Sequence, residues 1–189
     1  LTMLNFTFQH ILDSETEIAT NAYLRRSTRA ALNGDYETDV PQAVMNHTST
    51  TQTSYGTSVN LTKLLDTHQV TTGASIDAST TRYGASQAEC ANLSDSRSPS
   101  DCGESVANAG VSGKSVAMGI YGSDTWEVAQ GTHLTAAARY NYARVSNTIT
   151  SYVNGTGTDQ PRETFGYSSL NPSLGFSQKL SPIVTVFGN

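Results

Sequence analysis

The chain has 189 residues, room for one ordinary domain, with 37% hydrophobic and 14% charged residues and a formal net charge of −5. That apolar share is low for a soluble globule, while charge is too sparse and Tyr and Phe too frequent for a disordered chain. The acidic balance, with no Lys/Arg cluster to reverse it, excludes nucleic acid as a partner, and no run of about 18 apolar residues exists to form a transmembrane helix.

From the first residue the pattern is period-two. Leu4, Phe6 and Phe8 alternate with Asn5, Thr7 and Gln9, a polar turn follows near 12–16, and Ile18, Thr20, Ala22 and Leu24 then alternate with Ala19, Asn21, Tyr23 and Arg25. Each segment is about the 9–11 residues that a tilted membrane strand needs. A polar stretch from about 27 to 56, with Gly34, Pro41 and the tract STTQTS, shows no hydropathic period and reads as a long exposed loop. Its length would be odd in a compact domain unless it is functional.

A second hairpin turns at 66–68. Its returning strand sets Val70, Thr72, Ala74, Ile76 and Ala78 against Thr71, Gly73, Ser75, Asp77 and Ser79. Lys63 shares parity with Val59 and Leu61, which implies either a lysine snorkelling at a strand end or a one-residue shift of register. A second long loop is expected at about 84–113. It holds both cysteines, Cys90 and Cys102, with no histidine near them, and a disulfide in an oxidising compartment is expected. At its exit GVSGKS, residues 110–115, resembles a phosphate-binding loop, but the first glycine of that pattern is replaced by Asn108 and no strand–loop–helix context surrounds it.

The hairpin from Ser115 to Tyr142 is the clearest. Val116, Met118 and Ile120 rise, a turn falls at 128–131, and Leu134, Ala136, Ala138, Tyr140 and Tyr142 return, with Arg139 and Asn141 on the opposite parity. A third long loop is expected at about 146–163. Leu170, Pro172, Leu174 and Phe176 then alternate with Asn171, Ser173, Gly175 and Ser177, and a turn at 179–182 leads to IVTVFGN. Pro172 cannot donate to a ladder, so a bulge or a donor position without a partner is expected there.

The fold class that follows is all-β: an antiparallel transmembrane β-barrel segment of about eight strands, with short periplasmic turns alternating with long extracellular loops. Its apolar face, carrying Val70, Ala74, Ile76, Leu134, Ala136, Ala138, Leu174 and Phe176, is expected to meet outer-membrane lipid. Asp77, Arg139, Asn141 and Ser173 are expected to face the lumen. Trp126 fits a periplasmic aromatic girdle, and Tyr140 and Tyr142 an outer one. The first connection is short, which would put the N-terminus outside the cell, and the last strand is short. Both features imply an internal segment of a larger barrel, whose secretion signal was removed or lies upstream.

The run YGSDTWEVAQGTHLTAAARYNYARVSNT, followed by FGYSSLNPSLGFSQKLSPIVTVFGN, resembles the middle of the barrel of a TonB-dependent outer-membrane receptor. The phrases that carry the resemblance are the strand end with Tyr121, Asp124 and Trp126, the LTAAARYNY strand and the LNPSLGFS strand. It is close over about 113–189 and a matter of pattern over 1–112. The resemblance implies residues 1–189 as a partial barrel without its plug domain or remaining strands. It implies uptake of a scarce, bulky nutrient in the outer membrane of a Gram-negative bacterium, most often a ferric siderophore, with TonB acting through the absent plug. A porin-like channel or a surface-docking or autotransporter barrel is the alternative. The plausible ligand contacts are Tyr36 and Tyr55 in the first loop, Arg82 and Tyr83 at the base of the second, and Arg144 and Tyr152 near the third, because aromatic and guanidinium groups suit anionic cargo. No enzyme is expected: there is no nucleophile elbow, the four histidines are scattered without metal-ligand spacing, and no catalytic residue, metal or cofactor is implied.

Overall fold

The computed structural model describes residues 1–37, 42–93 and 99–189. The described residues form ten strands: β1 (Thr2–Ile11), β2 (Thr16–Glu37), β3 (Gln42–Leu65), β4 (His68–Leu93), β5 (Pro99–Cys102), β6 (Val106–Ala129), β7 (Thr132–Val153), β8 (Thr156–Asp159), β9 (Glu163–Ser181) and β10 (Val184–Gly188). Among the described residues there is no helix. Segments 69–80, 115–126 and 133–144 lie wholly inside β4, β6 and β7. All neighbours are antiparallel in one sheet ordered β1-β2-β3-β4-β6-β7-β9-β10, with β5 and β8 as short flaps on β4 and β7. The eight strands of that path follow chain order, and β1 and β10 form the two ends of the sheet.

The short turns fall where alternation breaks, between β1 and β2, at 66–67, at 130–131 and between β9 and β10. The three long loops do not exist as loops. β2 and β3 stay paired from Thr16↔Lys63 to Glu37↔Gln42, β4 and β6 from His68↔Trp126 to Gln87↔Val106, and β7 runs on to Val153. The reason is physical. The first and third of these stretches are rich in Thr, whose branched side chain favours strands, and the second is mostly Ser, Ala, Asn and Gly, so polar or small residues fall on both faces and no hydropathic alternation marks them. The segments 38–41, with Pro41, and 94–98 lie outside the described residues. β2, β3, β4, β6 and β7 are 22–26 residues long, about twice what a bilayer needs, so each hairpin rises well beyond the apolar band.

Three smaller expectations change or resolve. GVSGKS is ordinary strand inside β6, paired to β4 and β7 over its whole length. Pro172 sits in unbroken register opposite Ala138, with no bulge. β10 pairs β9 only as far as Phe176↔Gly188, so at Pro172 the second edge of β9 carries no partner strand among the described residues. Lys63 keeps parity with Leu61 without a slip, opposite Thr16 and Val70 at the turn end of its strand. That is the snorkelling position.

The sheet is one layer thick, so little is buried. Among the described residues Ala43, Val44, Ala88 and Cys90 are the buried apolar ones, gathered at the end of the strands where β5 pairs with β4.

Candidate functional site

Directly opposed residues share a face, so the register sorts every side chain. One face carries Leu4, Phe6 and Phe8 of β1, then Val59, Ala74, Ile76, Met118, Ile120, Leu134, Ala136, Ala138, Leu174 and Phe176 across β3 to β9. At its turn end His68 stacks on Trp126 (ring centroids 5.6 Å apart, planes 4° apart), and its Nδ1 meets Asp124 Oδ2 at 2.8 Å. The rings form a flat apolar plate with a polar tip, suited to a membrane interface.

The other face carries a hydrogen-bonded polar network. Two tyrosines each reach across a glycine to the strand beyond. Tyr23 of β2 passes over Gly56 of β3 and donates to Asp77 Oδ1 of β4 at 2.7 Å. Tyr121 of β6 passes over Gly73 of β4 and donates to Asn60 Oδ1 of β3 at 2.5 Å. Arg139 lies 5.6 Å over the Tyr121 ring and donates from Nε to Asn141 Oδ1 at 2.7 Å and from Nη2 to Ser75 Oγ at 3.2 Å. At the β1 end, Asn21 donates to Asn5 Oδ1 and Thr7 Oγ1 at 3.0 and 3.2 Å. Asp77 and Arg139, the charges within this network, thus each have a polar partner, as a water-filled or plugged lumen allows and lipid does not.

The expected ligand contacts divide between the faces. Tyr83 lies on the polar face, opposite Thr50 and Val111. Tyr55 shares the apolar face with Leu24 and Ala78, and Arg144 with Val116. Arg82, between Thr51 and Ser112, keeps that same parity, two residues beyond Thr80. Tyr36, opposite Ala43, and Tyr152, opposite Gly157, stand high on the projecting hairpins. The six are therefore not one site. Two polar-face cations escaped the sequence reading. Arg29 shares a rung with Thr50 and Tyr83, and Arg25 one with Ser54 and Ser79. The signal was available, because Arg25 and Arg29 continue the parity of Asn21 and Tyr23. Together Arg25, Arg29 and Tyr83 form a cationic and aromatic strip on the polar face above the network.

Cys90 and Cys102 are joined by a disulfide between directly opposed positions of β4 and β5. The cross-link ties β5 to the edge of β4 at the rung where Cys90 also opposes Ala43 of β3. In the isolated protein, intact mass without reductant is expected to fall two hydrogens short of the reduced mass. Two thiols alkylated before reduction would refute this.

Comparison with known proteins follows the same line. The model of the family described as TonB dependent receptor-like, beta-barrel, matches residues 1–189. No curated protein matches the chain. Among solved structures, the chain is similar to the open form of the ferric-catecholate import receptor Fiu from E. coli K12, with a TM-score of 0.73 and 15% identity, covering 98% of this chain and 34% of that one. It is also similar to the siderophore receptor PiuA from Acinetobacter baumannii (TM-score 0.72, 12% identity, 98% and 31% covered) and to the ferric yersiniabactin uptake receptor FyuA from Yersinia pestis (0.70, 9%, 98% and 26%). At these identities the likeness establishes the fold alone, and the chain spans about a third of those proteins or less.

Proposed function

This chain belongs to the TonB-dependent receptor-like β-barrel family, and we propose that it forms part of the barrel wall of an outer-membrane receptor of a Gram-negative bacterium that takes up a scarce, bulky nutrient. The cargo we infer is a ferric siderophore or a similar anionic metal complex. Uptake is driven by TonB acting on a plug that lies outside these residues. The reading treats the protein as a transporter and not an enzyme, as the family and the similar structures support.

The observation that carries the cargo class is the strip of Arg25, Arg29 and Tyr83 on the polar face, two guanidinium groups and a phenol above a hydrated wall. Guanidinium groups bind oxyanions through paired donors, and an aromatic ring offers a stacking surface for catecholate-type ligands. The membrane setting is supported by the segregation of Arg139, Asp77 and Asn141 from the apolar face.

The test is uptake of radiolabelled iron by cells that carry the intact receptor as their one route for a given ferric siderophore. Arg29→Gln is expected to weaken apparent affinity about tenfold, the loss of one charge-assisted contact worth roughly 1.5 kcal/mol, with the maximal rate retained. Deleting TonB is expected to abolish uptake. Uptake that persists without TonB and does not saturate would replace this reading with a porin-like channel.

A further inference from the structure

Above the network, the polar face changes character from one side of the sheet to the other. The register shows it rung by rung. Arg29, Thr50, Tyr83, Val111 and Ile149 oppose one another in turn across β2, β3, β4, β6 and β7. Four residues lower on β2, Arg25, Ser54, Ser79, Ser115, Val145 and Phe165 form a second such rung that reaches β9. Each rung begins at an arginine and ends at aliphatic or aromatic carbon. Tyr167, opposite Ala143, extends the apolar end. Arg25 and Arg29 are exposed. Val145, Ile149, Phe165 and Tyr167 are 38% to 61% exposed, so this apolar end stands open on the lumenal side.

The apolar end is no error of face. Lower on the same strands and at the same parity, Asn141 opposes Ser169 and Arg139 opposes Asn171. Beside the patch, the outward parity of β7 carries Arg144, Ser146 and Thr148. The two faces of β7 therefore exchange character along the strand. Arg29 lies 13 residues past Thr16, and Val145 lies 13 past Thr132. At about 3.3 Å per residue and a tilt near 40°, both stand roughly 33 Å above the periplasmic ends of their strands. An apolar band about 25 Å tall ends below that level, so lipid does not account for carbon there. An exposed apolar patch on an otherwise wet surface marks a binding site. With strands about 4.8 Å apart, Arg29 and Ile149 are separated by roughly 20 Å.

We propose that the cargo is amphiphilic: an anionic iron chelate whose head meets Arg25 and Arg29, and whose aliphatic or aryl arm lies over Val111, Val145, Ile149 and Phe165. The proposal rests on the uptake reading above and narrows it to chelates that carry an apolar arm. A compact, wholly hydrophilic chelate would engage the arginines and leave the apolar end in water. A neutral apolar molecule would leave the arginines unused. One amphiphilic anion satisfies both ends of each rung. Tyr83 stands between those ends in the upper rung, where a ring with a single polar atom suits the junction of head and arm.

The experiment uses the intact receptor in lipid nanodiscs, with the signal of empty discs subtracted. Catecholate, hydroxamate and citrate chelates of radiolabelled iron are each made with an acetyl and with an octanoyl arm, and binding is read by equilibrium dialysis. For the head that binds, the octanoyl form is expected to bind at least tenfold more tightly, since burial of about two of its additional methylenes suffices. The variant Val111→Thr/Val145→Thr/Ile149→Thr keeps β-branched side chains in the strands. It is expected to remove this preference while the acetyl form binds as before. Arg29→Gln is expected to weaken both forms equally. Equal affinity of the two forms for the unaltered receptor, or a preference that survives the triple variant, would overturn the proposal and leave the uptake reading standing. So would loss of both forms in the triple variant, because the patch would then pack against protein and not against cargo. Failure of the uptake reading looks different: no iron chelate of any head or arm binds, and the proposal falls with it.

Discussion

Ala138→Arg is expected to destabilise the folded protein in lipid by about 2–4 kcal/mol, whereas Arg139→Leu, one position along, is expected to cost only about 1 kcal/mol. The two residues are neighbours in sequence and opposites in environment. Ala138 lies opposite Gly122 and Pro172 on the apolar face and borders a hollow with Ile120, Tyr140 and Leu170. It is 6 residues past Thr132, the start of its strand, and so about 15 Å up, close to the mid-plane of a hydrocarbon layer about 30 Å thick. An arginine there is set among apolar side chains, and the nearest carboxylate on that face, Asp124 on the diagonal, is already engaged with His68. Arg139 instead sits in the polar network, and its removal leaves Ser75 and Asn141 facing a lumen that can hydrate them. A denaturant titration of the protein folded into lipid bilayers measures both. Equal costs would mean that the two faces are wrongly assigned to lipid and lumen.

The alternation around Val70–Ala78 and Leu134–Tyr142 made the faces legible from sequence, because one face there is apolar and the other is not. The register carries that parity unbroken across β2 to β9 over these rows. The projecting halves of the hairpins were not legible, for the converse reason. In tracts such as Ser49–Ser54 both faces are polar, and a strand with two wet faces has the hydropathy of a loop. The same blindness scattered the site. Arg82 and Tyr83 are adjacent, so only one of them can face the lumen, and proximity in sequence says nothing about which. Arg26, Lys114 and Arg144, far apart in the chain, come to one end of the apolar face only through the cross-strand register.

The tyrosine-over-glycine contacts make the second prediction. A Cβ built on Gly73 would stand 2.6 Å from Tyr121 Cε1, 2.7 Å from Cζ and 2.6 Å from Asn60 Oδ1. Real Cβ atoms do not sit so close, so Gly73→Ala must tilt the ring away and break the Tyr121–Asn60 hydrogen bond. The expected loss is about 1–2 kcal/mol, from the bond and the crowding together. Elsewhere in a strand, alanine for glycine should stabilise by roughly 0.5–1 kcal/mol, because it narrows the unfolded chain's freedom. Gly122 supplies that comparison, since a Cβ there meets nothing within 4 Å. Gly122→Ala is therefore expected to be neutral or stabilising, and the two alanines to differ in sign. Tyr121→Phe alone should cost about 1 kcal/mol. Combined with Gly73→Ala, it should cost less than the sum of the two, because both changes remove the same hydrogen bond. Chemical denaturation in lipid reads all four variants. Strictly additive costs, or equal effects at Gly73 and Gly122, would mean that the ring does not rest on Gly73. The network would then be a set of hydrated side chains, with no bracing across β3, β4 and β6.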